Sequence, residues 1–236
     1  MIKIIKLFIV LFLSSLMLFS PNFCTANNFY YGLDLGVQHI GFKPGYGDNL
    51  FPTDLPMSNL FVGFKFNDYF GIEGGYQSTV EQERITTLFA GNKVLGKVIP
   101  SNINNVKQSS KFEIIGWYIG VTGYHNIFSM DNNSLSVTGY VGIKHAQINL
   151  ERNIFSVTQV NAFPENYSNK IVLNRGNNKT IAQLSIGLEY FFSKHFGLRT
   201  MVCWENISKI RPANVAGDYK AKLKNSVSYV IGVLFK

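Results

Sequence analysis

Five charged residues interrupt otherwise apolar segments of this chain, and their side chains are the first candidates for chemistry. They are Asp34, Lys65, Glu73, Glu189 and Arg199. Lys65 and Glu73 flank one short connection, and Glu189 and Arg199 flank another, so each pair can meet across its own hairpin. Because an isolated buried charge costs several kcal/mol, these residues must be paired or hydrated. The alternatives are a structural polar cluster, a gate that exchanges partners and passes small ions, and a proton-transfer site.

A second set of charges is basic and lies in the longest connections between apolar segments, at 41–57, 84–110, 152–178 and 209–221. These connections hold 11 Lys or Arg residues against four Asp or Glu residues, and the 84–110 stretch has no acid. Such a surface attracts polyanions. The residues expected to form it are Arg84, Lys93, Lys97, Lys107, Arg152, Lys170, Arg175, Lys209 and Arg211.

Composition limits the class of protein that can position these charges. The 236 residues are 46% apolar and only 15% charged, with a formal net charge of +8. The apolar content excludes a disordered chain. Aromatic residues make up 14% of the sequence and glycine is frequent, which favours sheets over helix bundles.

Residues 1–26 are organised as a secretory signal. Lys3 and Lys6 precede an apolar run, and Cys24-Thr25-Ala26 offers a cleavage site with small residues. We expect cleavage after Ala26, since the apolar run is too short to serve comfortably as a retained membrane anchor. The mature domain, residues 27–236, then keeps only Cys203 and has no internal disulfide.

The rest of the sequence alternates with a period of two, which is typical of β-strands. In 182–190, for example, Ala, Leu, Ile, Leu and Tyr alternate with Gln, Ser, Gly and Glu. Lys144 and Glu205 fall on the polar face and extend the charged set further along the strands. Eight such segments are predicted, at about 29–40, 58–66, 70–83, 111–125, 134–151, 179–192, 197–208 and 222–235.

Long and short connections alternate strictly between these segments, and the polar face carries isolated charges. A soluble core would not place Asp34, Glu73 and Arg199 inside, so the apolar face is expected to contact lipid. A sheet in lipid must close on itself to satisfy its backbone hydrogen bonds. The prediction is an all-β, eight-stranded antiparallel up-and-down transmembrane barrel. Its aromatic girdle at the short turns would be Phe66, Tyr69, Phe70, Tyr124, Phe128, Phe191, Phe192 and Phe196.

Several stretches resemble one family of membrane proteins. They are 29–36 (FYYGLDLG), 67–76 (NDYFGIEGGY), 187–190 with 196–199 (GLEY and FGLR), and 229–235 (YVIGVLF). Their order resembles the small eight-stranded outer-membrane barrels of Gram-negative bacteria, the OmpA-like transmembrane domain and its opacity-protein relatives. The family usually ends on an aromatic residue that the barrel-assembly machinery is thought to read, whereas Lys236 follows Phe235 here. No periplasmic domain is expected after the barrel.

The resemblance implies a location in the outer membrane and a structural and surface-interaction role, like that of adhesins and surface antigens. The expected partners of the basic loops are lipopolysaccharide or anionic host ligands, and nucleic acid is not expected. The alternative function is a low-conductance channel gated by the interior charges. A soluble periplasmic carrier of the lipocalin type is disfavoured because the chain lacks the G-x-W start.

Catalysis has little support in the residues. Outer-membrane lipid A deacylases carry a His two positions before a Ser, but Gly, Ile, Gln and Gly stand two positions after the four histidines. The histidines are His39, His125, His145 and His195. No metal-ligand spacing and no nucleotide-binding loop is present, and Cys203 is expected to be a packed thiol. The sequence therefore predicts neither an enzyme nor a cofactor.

Overall fold

The computed structural model describes residues 28–42, 51–91, 93–94, 97–98, 101, 106–130, 133–156, 177–207 and 223–236. The predicted signal at 1–26 lies outside these residues. The described elements are β1 (Phe29–Phe42), β2 (Asp54–Lys65), β3 (Phe70–Thr79), β4 (Gln82–Leu88), β5 (Lys93–Val94), β6 (Lys97–Val98), β7 (Val106–Met130), β8 (Asn133–Ser156), β9 (Asn177–Phe191), β10 (Phe196–Glu205) and β11 (Leu223–Phe235). No helix in the described ranges is long and apolar enough to cross a membrane.

The strands form a closed antiparallel ring. Sequential neighbours pair from β7 to β11, β11 pairs with β1, β1 pairs with β2, and β2 pairs with β3. β3 also pairs with β7, with Gly74 opposite Ile119, so the pairing of the last strand β11 with the first strand β1 closes the ring. At the level of β3, each strand of the ring thus has two hydrogen-bonded neighbours, as a spanning sheet in lipid requires.

β3 and β4 together occupy the third of eight strand positions around the ring. Both pair with β7, with Ser78 opposite Ile115 and Gln82 opposite Phe112. One strand advances four residues between these pairs while β7 advances three, so a residue is inserted as in a β-bulge. The predicted eight-stranded antiparallel barrel is therefore confirmed, with its third strand interrupted.

Several predicted strands are too short, and β2 also begins earlier than predicted, at Asp54. β7 and β8 have 25 and 24 residues, so both extend well beyond the predicted segments 111–125 and 134–151. The expected loop 84–110 is partly strand, because β4 pairs with the first residues of β7. β4, β7 and β8 consequently form a three-stranded sheet that rises above the rest of the barrel wall.

In the periplasmic part of the barrel wall, the outer face is apolar and the inner face carries the polar residues, as predicted. Large apolar side chains point outward, and Leu35, Val141 and Ile231 are 56%, 62% and 65% exposed. Their neighbours on the inner face are polar, as with Asp34 and Gln38, which are fully buried. This outer surface is the one that contacts lipid.

The short turns and their aromatic residues lie at the periplasmic end. Asn67 Oδ1 accepts hydrogen bonds from the backbone N–H groups of Tyr69 and Phe70, at 2.8 and 2.9 Å. Such side-chain bonds are typical of tight turns. Of the eight predicted girdle residues, Tyr124 and Phe191 point inward instead, being 6% and 4% exposed. The prediction was wrong for these two residues because both stand at positions of the strand alternation that face inward.

Candidate functional site in the barrel interior and at its rim

The lowest interior charges form one cluster around Arg199. Its guanidinium contacts Asp34 through Nε–Oδ1 at 2.8 Å and Nη2–Oδ2 at 2.5 Å. A third nitrogen, Nη1, donates to Glu73 Oε2 at 2.8 Å. Since all three side chains are at most 6% exposed, they are shielded from bulk water, and both carboxylates share the one guanidinium. Arg199 is suited to this position because its planar fork binds carboxylates in a bidentate way.

The partners differ from those expected from the hairpins. Arg199 and Glu189 are opposite one another across β9 and β10, yet the ion pairs of Arg199 join it to Asp34 and Glu73. Glu189 instead lies 3.6 Å from Lys65 Nζ. The correction has a geometric cause: long inward side chains reach across the narrow interior as easily as along one hairpin.

Neutral side chains complete the hydrogen bonding of the cluster. Asn59 donates to Asp34 at 2.9 Å, and the hydroxyls of Tyr30 and Tyr118 donate to Glu73 at 3.0 and 3.3 Å. Near the periplasmic mouth, Lys65 Nζ lies 3.7 Å from the centre of the Tyr124 ring. Aromatic faces and carboxylates thus surround each buried cation.

A second ion pair lies further toward the extracellular end. Lys144 Nζ is 2.8 Å from Glu205 Oε1, and both side chains are fully buried. Gln38 donates to Glu205 at 2.7 Å and to Ser226 at 2.8 Å. The two residues therefore form a separate pair in a layer of amides and hydroxyls, above the Arg199 cluster.

The extracellular end of the interior is apolar, which the sequence analysis did not predict. Twelve buried side chains form this apolar layer: Ile40, Phe42, Phe51, Leu55, Phe112, Ile114, Ala146, Ile148, Leu150, Ile181, Ile207 and Leu223. Phe51 and Ile207 lie beyond the ends of their strands and fold inward, so connecting residues contribute to the layer. The buried charges are confined to the lower and middle interior, where they lie among aromatic side chains such as Tyr30 and Phe61.

A signal for this layer exists in the sequence. Along β8, Val141 and Ile143 are exposed on the outer face, whereas Ala146 and Ile148 are buried on the inner face. The apolar residues change from odd to even positions, with Lys144 at the change. Beyond Lys144, the apolar residues of β8 therefore face the interior, as in the sheet of a soluble protein. This change marks the level above which the wall no longer contacts lipid.

The predicted basic surface is only partly described by the structure. Arg84 is exposed on β4 and Lys107 is half-buried on β7. Lys93, Lys97 and Arg152 lie in β5, β6 and β8. The remaining predicted residues fall outside the described ranges: Lys170, Arg175, Lys209 and Arg211.

Acidic residues line the three-stranded sheet just below those loops, a feature that the loop-by-loop count of charges missed. Glu83 is opposite Lys111, which in turn is opposite Glu151. Lys111 Nζ contacts Glu81 at 3.2 Å, and this bond raises the pKa of Lys111 above its ordinary value. The count missed these acids because they lie just outside 84–110 and 152–178.

The histidines and the thiol do not form a catalytic set among the described residues. His39 Nδ1 lies 2.6 Å from Asp54 Oδ1, but the Thr53 hydroxyl beside them donates to Asp54 and not to the imidazole. Cys203 is buried and accepts a bond from Gln183 at 3.0 Å. In the described part of the chain, no three His, Cys, Asp or Glu side chains are grouped to hold a metal ion.

The closed ring, lipid-facing apolar surface and inward charges define a transmembrane β-barrel of the bacterial outer-membrane type. The family model described as "Outer membrane protein beta-barrel domain" matches residues 8–229. The chain belongs to this family and resides in the bacterial outer membrane. Comparison with curated proteins gave no match.

Three solved structures are similar to this chain over most of its length. Neisserial surface protein A is 10% identical with a TM-score of 0.47, and the alignment covers 88% of this chain and 96% of that one. Ail of Yersinia pestis, in complex with the heparin analogue sucrose octasulfate, is 11% identical with a TM-score of 0.39, covering 88% and 98%. The N-terminal barrel of Pseudomonas aeruginosa OprF is 12% identical with a TM-score of 0.31, covering 87% and 97%.

Proposed function

We propose that this protein is a non-enzymatic outer-membrane barrel with a closed interior, and that it acts through its extracellular surface. The observation that carries the proposal is the apolar layer across the extracellular end of the interior. Its twelve side chains are at most 5% exposed and offer no polar groups to a passing ion. An ion that crossed the Arg199 cluster would still have to cross this layer without water.

The apolar layer gives the channel alternative less support than the surface role. In a channel gated by interior charges, exchange of the Arg199 partners should be sufficient to open a path. Here the charged cluster and the extracellular medium are separated by the Lys144–Glu205 pair and then by the apolar layer. Opening therefore requires movement of the layer as well.

The extracellular surface is proposed to bind sulfated or phosphorylated sugars through its basic loops. Lipopolysaccharide of the same membrane and anionic glycans of a host share this chemistry. The exposed Arg84 and the basic residues of 84–110 supply positive charge without a neighbouring acid in that stretch. The glutamates lower on the sheet would confine anion attraction to the loops above.

The test is a binding measurement on the folded barrel in lipid nanodiscs. Heparin is the soluble sulfated probe, and lipid A incorporated in the nanodisc is the membrane probe. The variant replaces Arg84, Lys93, Lys97 and Lys107 by Gln. The matched control replaces Lys194, a base in the periplasmic turn between β9 and β10, by Gln.

We expect the loop variant to lose at least tenfold in affinity for one probe, with a smaller salt dependence, while the control binds as the wild type does. Loss toward heparin alone favours a host ligand, and loss toward lipid A alone favours lipopolysaccharide. Equal binding by the wild type and the loop variant to both probes would contradict the proposal. Lipid A of unchanged mass in expressing cells is expected for a barrel without hydrolase activity.

A further inference from the structure

A small cavity lies in the middle of the barrel interior, between the Arg199 cluster and the Lys144–Glu205 layer. Its space for a water-sized particle is about 30 Å³, enough for one or two waters or a single small ion. Its lining includes Asp34, Glu73 and Arg199 from below and Gln183 and Cys203 from above. The cavity is therefore lined by groups that already have other contacts.

Several polar atoms of the lining have no hydrogen-bond partner among the described residues. They are Asn59 Oδ1, Thr122 Oγ1, Tyr140 OH, Gln183 Oε1 and Ser228 Oγ. Each of these side chains is at least nine-tenths buried, with exposures of 8%, 2%, 3%, 7% and 1%. Because a buried polar atom without a partner costs about 1–3 kcal/mol, the set indicates that the cavity is occupied.

The orientation of the two amides limits the occupant. The Asn59 amide nitrogen donates to Asp34, and the Gln183 amide nitrogen donates to Cys203 and Glu205. Their carbonyl oxygens are thus the atoms left over. The two carbonyl oxygens can only accept, so they suit a cation or a hydrogen-bond donor and not an anion, and the three hydroxyl oxygens can also face a cation.

The charges around the cavity also favour a cation, because negative side chains outnumber positive ones there. Asp34 and Glu73 share one guanidinium, that of Arg199, so the lining holds one more carboxylate than cation. The other cations do not change this at the cavity, since Lys144 is matched by Glu205, and Lys65 and Lys236 lie near Glu189 at the periplasmic mouth. The local excess of carboxylate favours a cation in the cavity.

We propose that the cavity is a binding site for one dehydrated monovalent cation, sodium or potassium. Neutral carbonyl and hydroxyl oxygens replace the hydration shell of such ions, as backbone carbonyls do in potassium channels. The carboxylates supply the charge from the adjacent cluster while remaining bound to Arg199. The occupant would join the two polar layers of the interior, and its presence is independent of what the loops bind.

The experiment measures unfolding of the full barrel by urea, in phosphatidylcholine vesicles, at constant ionic strength. Sodium chloride and potassium chloride are compared with choline chloride, because choline is too large for the cavity. Two variants alter the site: Gln183→Leu removes a carbonyl ligand, and Glu73→Gln removes the unbalanced charge. Gln147→Leu is the control, since this amide lies exposed on the outer face of β8.

We expect the midpoint urea concentration of the wild type and of Gln147→Leu to rise in sodium or potassium relative to choline, and to rise further with cation concentration. Gln183→Leu and Glu73→Gln should show the same midpoint in all three salts. Sodium-23 relaxation in the folded wild type provides a readout that does not depend on variant folding. The proposal would be overturned if the wild-type midpoint were equal in all three salts and sodium-23 showed no relaxation from binding. Water in the cavity, or a proton on Glu73, would then take the place of the cation.

Discussion

Arg199 and Asp34 are joined by a bidentate ion pair, although they stand on strands that are not neighbours. Arg199 lies on β10 and Asp34 on β1, with Gly232 of β11 opposite both. A side chain at position 232 would collide with Asp34, so glycine leaves the room in which the two side chains meet. The ion pair between Arg199 and Asp34, the shortest in the interior, therefore spans β11, the strand that closes the ring onto β1.

Replacing Arg199 by Met should destabilise the barrel by about 3–5 kcal/mol, since two buried carboxylates lose their common partner. The measurement is urea unfolding in vesicles, followed by tryptophan fluorescence. Lys194→Met, at an exposed turn position, should change the free energy of unfolding by less than about 0.5 kcal/mol. Similar values for the two variants would show that water compensates the cluster.

The Lys144–Glu205 pair should behave as a coupled unit. Lys144→Met and Glu205→Leu are each expected to cost about 3–5 kcal/mol, because each leaves an unpaired buried charge. The double variant should be considerably more stable than the sum of the two losses implies. Additive losses in this double-mutant cycle would exclude a direct interaction of the pair.

Gly63→Ala should destabilise the barrel by about 1–3 kcal/mol, because a Cβ at this position would overlap the ring of buried Tyr30. Gly139 provides a matched control, since the nearest atom to a Cβ there is 3.9 Å away. Gly139→Ala should be nearly neutral in the same unfolding measurement. Equal effects at the two positions would mean that Tyr30 moves aside without cost.

Conductance should respond to the apolar layer and not to the charged cluster. The variant Phe112→Ser/Ile148→Ser introduces hydroxyls and removes volume from the layer, so water can enter it. We expect channel events from this variant in planar bilayers, and silence from the wild type and from Arg199→Gln. Events in Arg199→Gln with an intact layer would instead support the gated-channel alternative.

Stability should increase with pH through the titration of Lys236. Burial, with a smaller contribution from nearby Lys65, lowers the pKa of Lys236 from 10.5 to about 8, while Glu189 opposes this shift. Between these values the unfolded chain binds more protons than the folded barrel, so unfolding becomes less favourable as pH rises. The urea midpoint should be higher at pH 9.5 than at pH 7.5, and Lys236→Met should reduce that difference.

The sequence predicts which face of each strand contacts lipid, because alternate residues of a strand face the membrane and must be apolar. Leu35 and Asp34 are neighbours in the chain, yet only one of them can contact the membrane. The isolated charges then identified the inner face. The eight-strand arrangement followed from the lengths of the connections.

The partners of the charges could not be predicted from hairpin spacing. Glu189 is opposite Arg199 in the ladder, but Arg199 contacts Asp34 and Glu73 across the interior. Such contacts depend on the stagger of non-adjacent strands, which local alternation does not reveal. The apolar layer was missed for a different reason. Ile148 on the inner face and Ile143 on the outer face are the same type of residue, and they differ only in whether they stand at an even or an odd position of the strand.

The position of the Arg199 cluster has a consequence for the order of assembly. Its members come from β1, β3 and β10, so no run of consecutive strands that stops short of β10 contains both the guanidinium and its carboxylates. An incomplete sheet would expose Asp34 and Glu73 without a counter-charge, in a membrane where such charges are costly. Closure of β11 onto β1 then holds Arg199 against both carboxylates, so a sheet with an open seam should be less stable than the closed barrel.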